Sequence, residues 1–420
     1  MRWSGANAFI ALMSTAAVAF AVAAHAAEPI RIAFVDPLSG SMANVGENEA
    51  KTLQYLVNQI NAKGGVLGGR KLEVVSFDNK LSPQETLSAL KNVIDQKISY
   101  VIGGNGSSVA AAIIDAVDKN NVRNPNNRLV YLNFASVDPD FTNSKCSFWH
   151  FRFDANSDMK MEALTNFLKE DKKIKKVYII GQDYSFGHQV SRAAKEMLKM
   201  KRPDIQIVGD DLHPIGKVKD FSPYITKIKA SGADTVITGN WGNDLAFLIK
   251  AGKEAGLDVN YYTYNAYGLD AATAIGAAGV GKVNVVAEWH NNMANPKTEK
   301  FYGDYKKQLP GPKDDLFFYR IKYATDMLVK AFDQAKSADP YKVALALEGM
   351  KYESDMGPVI MRKEDHQLLL PMNVSTMGAA GTPGSMNDVE GSGFGFKTKV
   401  LLSAEQSALP TTCKMLRPAS

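Results

Sequence analysis

Residues 100–119, YVIGGNGSSVAAAIIDAVDK, are the stretch around which the chain is organised. Tyr100 to Gly103 is typical of a buried strand, glycines then interrupt it, and the apolar residues that follow recur at helical spacing. Ser107 and Ser108 stand where the helix begins, which is the position of an N-cap hydroxyl. The amides of such a helix start are unpaired and lie at the positive end of the helix dipole, so they suit a carboxylate. A serine that only caps the helix explains the same residues equally well.

Length and composition indicate a globular protein with two domains. A chain of 420 residues is long for one hydrophobic core, and its 45% hydrophobic and 22% charged residues are ordinary for a globular protein. The net charge of +5 is mild and the basic residues are scattered. Acids interrupt the densest basic cluster, residues 169–176, and no aromatics interleave with it, so no nucleic-acid partner is predicted.

Residues 1–26 have the pattern of a signal peptide. Arg2 precedes an alanine-rich apolar run, and residues 24–26 form a small-x-small cleavage sequence. No later segment approaches the roughly 18 consecutive apolar residues that a membrane span needs. We therefore expect cleavage after Ala26 and a mature, soluble protein in the periplasm.

The two cysteines, Cys146 and Cys413, are far apart in the sequence. In an oxidising compartment they can form one disulfide that ties the C-terminal tail to the middle of the chain. Neither cysteine lies near a histidine pattern. The sequence therefore favours a disulfide and predicts no metal site.

From residue 30 onward, strands and helices alternate, which predicts an α/β fold. The alternation restarts near residue 176, which indicates a second αβ domain of similar plan, and the Gly/Ser/Pro-rich residues 378–395 are expected to form a loop. The turn at residues 133–139 follows a predicted strand, as the glycine turn at residues 103–108 does. Because ligands gather at the carboxyl ends of parallel strands, both turns are candidates for the binding site.

Aromatic residues fall at strand ends in the second domain. Tyr184 and Trp241 are two of them, and each either packs in the core or faces a ligand. Trp241 lies in a turn with little apolar company, where it is placed to close over a ligand held by the first domain. Two αβ domains with facing carboxyl edges form a cleft that closes by hinge motion.

No catalytic constellation or cofactor motif is present. The six histidines are dispersed, and the sequence lacks a P-loop, a nucleophile elbow and a dinucleotide fingerprint. An exported hydrolase is the alternative, with Ser108 as nucleophile and His366, beside Asp365, as base. An acid adjacent in sequence does not set up a triad, so the sequence favours a binding protein without enzymatic activity, cofactor or metal.

Seven segments occur in the order and spacing of a known family. They resemble the exported solute-binding proteins of branched-chain amino acid (Leu/Ile/Val-type) ABC transporters, and the resemblance covers residues 30 to 377. The segments are IRIAFVDPLSGSMANVG (30–46), NAKGGVLGGRKLEVV (61–75), VIGGNGSS (101–108), NFASVDP (133–139), GQDYSFG (181–187), VITGNWGNDLAFLIKAGKEAGL (236–257) and MGPVIMRKEDHQ (356–367).

The resemblance implies a type I periplasmic-binding fold, with two doubly wound parallel-sheet lobes joined by a three-crossover hinge. Residues 27–150 and 290–365 would form the N-terminal lobe, and residues 151–289 and 366–420 the C-terminal lobe with its tail. The implied partners are a small-molecule solute and the membrane permease of an ABC transporter. The same capture of a solute would also serve a chemosensory receptor.

The resemblance also implies site residues. The carboxylate grip of the family maps onto Ser107 or Ser108 and onto the backbone of Ala135. The positions that hold an α-ammonium group differ, because Val137 stands where a threonine is expected and Asn265 where an acid is expected.

A register shift of one residue would make Ser136 the hydroxyl donor, and Asp138 or Asp270 would then supply the negative charge. Tyr184 and Trp241 would cover the apolar part of the solute. The expected ligand is an amino acid, or a related organic or aromatic acid or amide.

Overall fold

The computed structural model describes residues 1, 28–293 and 295–418. The predicted signal peptide therefore lies, apart from residue 1, outside the described residues. The strands are β1 Ile30–Asp36, β2 Leu72–Asp78, β3 Tyr100–Gly103, β4 Val130–Asn133, β5 His150–Arg152, β6 Lys176–Gln182, β7 Gln206–His213, β8 Thr235–Thr238, β9 Asn260–Thr263, β10 Val283–Ala287, β11 Lys351–Ser354, β12 Gly357–Met361, β13 Leu368–Leu369, β14 Met372–Ala379 and β15 Phe394–Leu402. The α-helices are α1 Ala43–Ala62, α2 Pro83–Asp95, α3 Ser107–Arg123, α4 Ser157–Leu168, α5 Ser185–Lys201, α6 Ser222–Ser231, α7 Asn243–Glu254, α8 Ala271–Ile275, α9 Pro296–Gln308, α10 Arg320–Ala335, α11 Pro340–Leu347 and α12 Ala404–Ser407.

The first sheet has the strand order β2-β1-β3-β4-β5, and all of its strand pairs are parallel. Its central strands β3 and β4 are buried along their whole length, as expected for a parallel sheet covered by helices on both faces. The order turns back between β1 and β3, which is the doubly wound arrangement. The strand, turn and helix predicted for residues 100–119 are present as β3 and the start of α3.

The second sheet has the order β15-β14-β10-β9-β8-β6-β7. Strands β6 to β10 pair in parallel, whereas β14 is antiparallel to both β10 and β15. The Gly/Ser/Pro-rich segment predicted as a loop at residues 378–395 is the connection between β14 and β15, and both strands extend slightly into it. A direct connection of this kind joins antiparallel neighbours, so this parallel sheet carries an antiparallel edge.

The chain passes between the two sheets three times. It leaves the first sheet after β5, returns after β10 to supply helices, and enters the second sheet again at β14. Helix α10 packs on α1, and the rings of Phe332 and Tyr100 meet edge to face at 5.1 Å. Strands β11, β12 and β13 form a small separate sheet near the passages.

A disulfide joins Cys146 to Cys413, and their Cα atoms are 5.8 Å apart. The tail is also hydrogen-bonded at this place, because Thr411 Oγ1 donates to the carbonyl of Thr142 over 2.8 Å. None of the helices in the described part of the chain combines the length and apolar character that crossing a bilayer requires.

Candidate functional site

A cavity lies between the carboxyl ends of the two sheets. About 650 Å³ of space free of protein atoms is present there, including its mouth. The turns after β3 and β4 line it from the first sheet, and the turns after β6, β8 and β9 line it from the second. Ligands of open αβ sheets bind at this edge, so the cavity is the candidate binding site.

The start of α3 presents unpaired amides to this cavity. Gly106 is the N-cap with a φ of +85°, and no side chain caps the helix. Ser107 is 2% exposed and lines the cavity, whereas the next residue, Ser108, is exposed and lies outside the lining. Successive helix residues point about 100° apart, so only one of the two serines can face the cleft. Of the two sequence candidates, Ser107 is therefore the one in position.

Gly104 allows the turn before α3 to pack closely. Its φ is +92°, and a Cβ placed on it would lie 2.1 Å from Tyr131 Oη. No side chain fits there without displacing the buried tyrosine. The glycines of the turn thus let the backbone reach the cavity edge.

The turn after β4 supplies a second hydroxyl. Ser136 Oγ donates to Ser107 Oγ over 3.0 Å, and both serines are buried. The amides of Ala135 and Ser136 donate to Asn133 Oδ1 over 3.1 and 2.8 Å. The backbone contact expected from Ala135 must therefore come from its carbonyl group, because its N–H is used within the turn.

Tyr184 and Trp241 both line the cavity and are bonded to each other. Trp241 Nε1 donates to Tyr184 Oη over 2.9 Å. Burial raises the pKa of the Tyr184 phenol, which keeps it neutral. Three aromatic residues that the sequence analysis did not select complete the apolar wall: Phe186, Tyr264 and Phe318.

The sequence analysis also missed a buried ionic cluster at the cavity. Lys160 Nζ lies 2.9 Å from Asp154 Oδ1, and Arg320 Nε lies 3.4 Å from Asp154 Oδ2. Arg320 Nη1 lies 3.0 Å from Glu288 Oε1. All four side chains are nearly inaccessible to solvent, and Arg320, Lys160 and Asp154 line the cavity.

The cationic members of this cluster keep donors that the protein does not use. Arg320 Nε donates to the Phe134 carbonyl over 2.5 Å and Nη1 donates to Glu288, whereas Nη2 has no acceptor among the described residues. Lys160 has three N–H donors and one ionic contact, to Asp154. Burial lowers the pKa of Arg320, but Asp154 and Glu288 raise it further, so the guanidinium stays charged. The cluster can therefore donate to a bound carboxylate.

The ammonium end of the predicted site is neutral. Val137 and Asn265 both line the cavity. Asn265 Nδ2 donates to the carbonyls of Gly239 and Asn240 over 3.2 Å each, which leaves Oδ1 as an acceptor. A carboxamide oxygen can accept from an ammonium group but cannot neutralise it.

The alternative acids, Asp138 and Asp270, do not line the cavity. Asp138 Oδ1 accepts from the amide of Asp140 over 3.0 Å, and Asp270 forms an ion pair of 3.0 Å with Lys313. Each carboxylate is thus committed to local structure. The carboxylate at the cavity comes from Asp154 instead, which the sequence did not indicate.

A second buried acidic pair lies behind the turn that precedes α3. Asp36 accepts from the amides of Gly104 and Asn105 over 3.2 and 2.8 Å. Glu49 Oε2 lies 2.5 Å from Asn105 Nδ2, and Asn105 lines the cavity. Burial raises the pKa of Asp36 to about 7 and raises the pKa of Glu49 well above its usual value. Both carboxyls are fully buried.

His366 has no role at the cavity. Its Nε2 lies 2.9 Å from Glu348 Oε1, its Nδ1 lies 3.2 Å from the His150 carbonyl, and its ring stacks on Phe151 at 4.0 Å. Both ring nitrogens are thus engaged away from Ser108. Within residues 28–293 and 295–418, no group of three or more His, Cys, Asp or Glu side chains is placed to hold a metal ion.

The described geometry agrees with the relatives of this chain. A family model described as periplasmic binding protein matches residues 29–382. A Leu/Ile/Val-binding protein homolog 4 from Brucella melitensis biotype 1 is 32% identical over 416 residues, which is 97% of each protein.

Two solved structures are similar to this chain. A closed leucine-, isoleucine-, valine-, threonine- and alanine-binding protein from Brucella ovis has a TM-score of 0.82 at 30% identity, over 93% of this chain and 100% of the other. A solute binding protein of an ABC transporter from Rhodopseudomonas palustris BisB5, in complex with 3,4-dihydroxy benzoic acid, has a TM-score of 0.77 at 17% identity, over 90% and 98% of the two chains. With its two sheets, its cleft and these relatives, the chain belongs to the periplasmic binding protein family.

Proposed function

We propose that this protein is the solute-binding component of an ABC importer and captures a small carboxylate between its two lobes. The observation that carries the proposal is the convergence at one cavity of the uncapped start of α3, Ser107, and the unused donors of Lys160 and Arg320. These groups all favour a negative charge. The aromatic wall around Tyr184 and Trp241 suits an apolar or aromatic remainder of the solute.

Two solute classes fit this arrangement. The Brucella proteins carry names of branched-chain amino acid binders, and Asn265 Oδ1 offers a free acceptor for an ammonium group. The Rhodopseudomonas protein was solved with an aromatic acid, and the neutral ammonium end together with the aromatic wall fits that class. A carboxylate is common to both, so the carboxylate is the committed part of the proposal.

We infer that residues 27–150 with 290–365 and residues 151–289 with 366–420 move as two lobes about the three chain passages. Strands β1–β4 fall in the first set and strands β6–β10, β14 and β15 in the second. β5 crosses the proposed boundary at residue 150, and the tail after α12 is bonded back to the first set through Cys413. We place the mature protein in the periplasm, with the permease of its transporter as partner, because residues 1–26 have the signal-peptide pattern.

A thermal-shift panel tests the proposed function. It contains leucine, isoleucine, valine, threonine, alanine, benzoate and 3,4-dihydroxybenzoate, with leucinamide and benzamide as analogues without a carboxylate. At least one carboxylate is expected to raise Tm, because a ligand that binds the folded state stabilises it, and its amide analogue is not. Equal stabilisation by acid and amide, or no stabilisation by any member, would refute the proposal.

The two adjacent serines provide a matched test of the site. Ser107→Ala removes a buried hydroxyl at the cavity and is expected to weaken carboxylate binding by about tenfold, the value of one hydrogen bond to a charged group. Ser108→Ala removes an exposed hydroxyl one residue away and should leave Kd unchanged. Isothermal titration of both variants decides the point, and equal losses in the two would contradict the assignment of Ser107.

A further inference from the structure

The fully buried carboxyl of Glu49 is the polar group that the carboxylate grip leaves unexplained. Glu49 lies on α1 behind the cavity, and its Oε1 has no hydrogen-bond partner among the described residues. Its Oε2 contacts the carboxamide of Asn105. Asn105 is 7% exposed and lines the cavity, so Glu49 touches a residue that faces the solute.

The contact between Glu49 and Asn105 is short. Its length of 2.5 Å is below the usual range of an N–H···O bond and within the range of an O–H···O bond. The two ends of a carboxamide have nearly the same shape, so its hydrogen-bond partners determine which end points where. A protonated Glu49 that donates its O–H to the oxygen of Asn105 accounts for the length.

The charged surroundings of Glu49 favour this protonated form. Asp36 faces it from β1 and its negative charge disfavours ionisation, whereas Arg320 faces it from α10 and favours ionisation. Tyr131, from β4, faces Asp36 and is itself neutral because burial raises its pKa. Desolvation of Glu49 is the largest influence and raises its pKa, so the proton is held to a higher pH than in water.

We propose that Glu49 is a positioning residue whose proton decides which end of the Asn105 carboxamide faces the solute. With Glu49 protonated, its O–H donates to the Asn105 oxygen, and the NH₂ group is left to donate to a solute carboxylate. With Glu49 ionised, the NH₂ group turns to Glu49 and the oxygen faces the solute, which repels a carboxylate and accepts from an ammonium group. The proposal rests on the proposed function and gives that site a proton-dependent specificity.

The test is the pH dependence of Kd for benzoate and leucine between about pH 6 and about pH 8, where neither solute titrates. Wild-type affinity for benzoate is expected to fall by about tenfold as pH rises, because a donor to a carboxylate is replaced by an acceptor. The fall for leucine should be smaller, since its ammonium group gains what its carboxylate loses.

Glu49→Gln keeps the shape, stays neutral and can donate to Asn105 at every pH, so it should hold the low-pH affinity throughout the range. Asn105→Ala removes the amide and should bind weakly with no dependence on pH. Glu47→Gln, an exposed position on the same helix, should retain the wild-type profile.

The outcomes separate the two proposals. If no panel member binds, the proposed function fails and this inference fails with it. If a carboxylate binds to the wild type with a Kd that is constant across the range, or if Glu49→Gln retains the wild-type slope, the role of Glu49 is refuted and the proposed function stands.

Discussion

Arg320→Ala is expected to destabilise the protein by about 3–5 kcal/mol and to abolish measurable solute binding. Glu288 is 2% exposed, and among the described residues Arg320 is its ion-pair partner. Removal of the guanidinium leaves this carboxylate buried and uncompensated, which costs far more than the loss of a surface ion pair. The cation–π contact of Arg320 with Phe318, at 4.4 Å from the ring centroid, is lost as well.

Urea unfolding measures the stability effect, and isothermal titration with the best carboxylate of the panel measures the binding effect. Arg123→Ala is the matched control, because Arg123 is exposed and removes a positive charge of the same kind from the surface. Arg320→Lys should recover part of the stability but not the binding, since an ammonium group cannot keep the forked contacts to Phe134 and Glu288. A midpoint for Arg320→Ala equal to that of Arg123→Ala would contradict this account of the cluster.

Replacement of both cysteines by serine is expected to lower the free energy of unfolding by about 2–5 kcal/mol. The Cys146–Cys413 bridge closes a loop with a sequence separation of 267 residues, so the unfolded chain gains much freedom when the bridge is absent. The tail keeps an ion pair of 2.6 Å between Arg417 and Glu348, but Arg417 is partly exposed and adds little.

Urea unfolding with and without a reducing agent checks this expectation. Reduction should move the wild-type midpoint to that of the double variant and should leave the double variant unchanged. A wild-type midpoint that does not respond to complete reduction, verified by thiol counting, would show that the bridge does not contribute to stability.

The local parts of the fold could be predicted from the sequence because short-range chemistry determines them. The glycine turn before α3 needs positive φ at Gly103, Gly104 and Gly106, and the sequence supplies glycine at each. Ser107 and Ser108 could not be told apart, because their difference is one of helix rotation against the second lobe. The antiparallel edge strands β14 and β15 were missed, since β15 begins in a Gly/Ser-rich segment typical of a loop.

The ionic cluster could not be predicted because its members come from four remote segments. Asp154, Lys160, Glu288 and Arg320 meet only once both sheets and α10 are in place. A signal was present, however. Lys160 stands between two buried methionines, and Arg320 follows an aromatic run and opens an amphipathic helix. Single charges within such apolar surroundings are candidates for buried, paired side chains.

The central claim is that the carboxylate of a solute is held at the start of α3. A crystal structure of the protein with the best carboxylate of the panel tests it most directly. The account predicts that the carboxylate oxygens lie about 3 Å from Ser107 Oγ and the first amides of α3, with the remainder of the solute against Tyr184 and Trp241. A solute whose carboxylate points away from Ser107, toward Asn265 or out of the cleft, would contradict it.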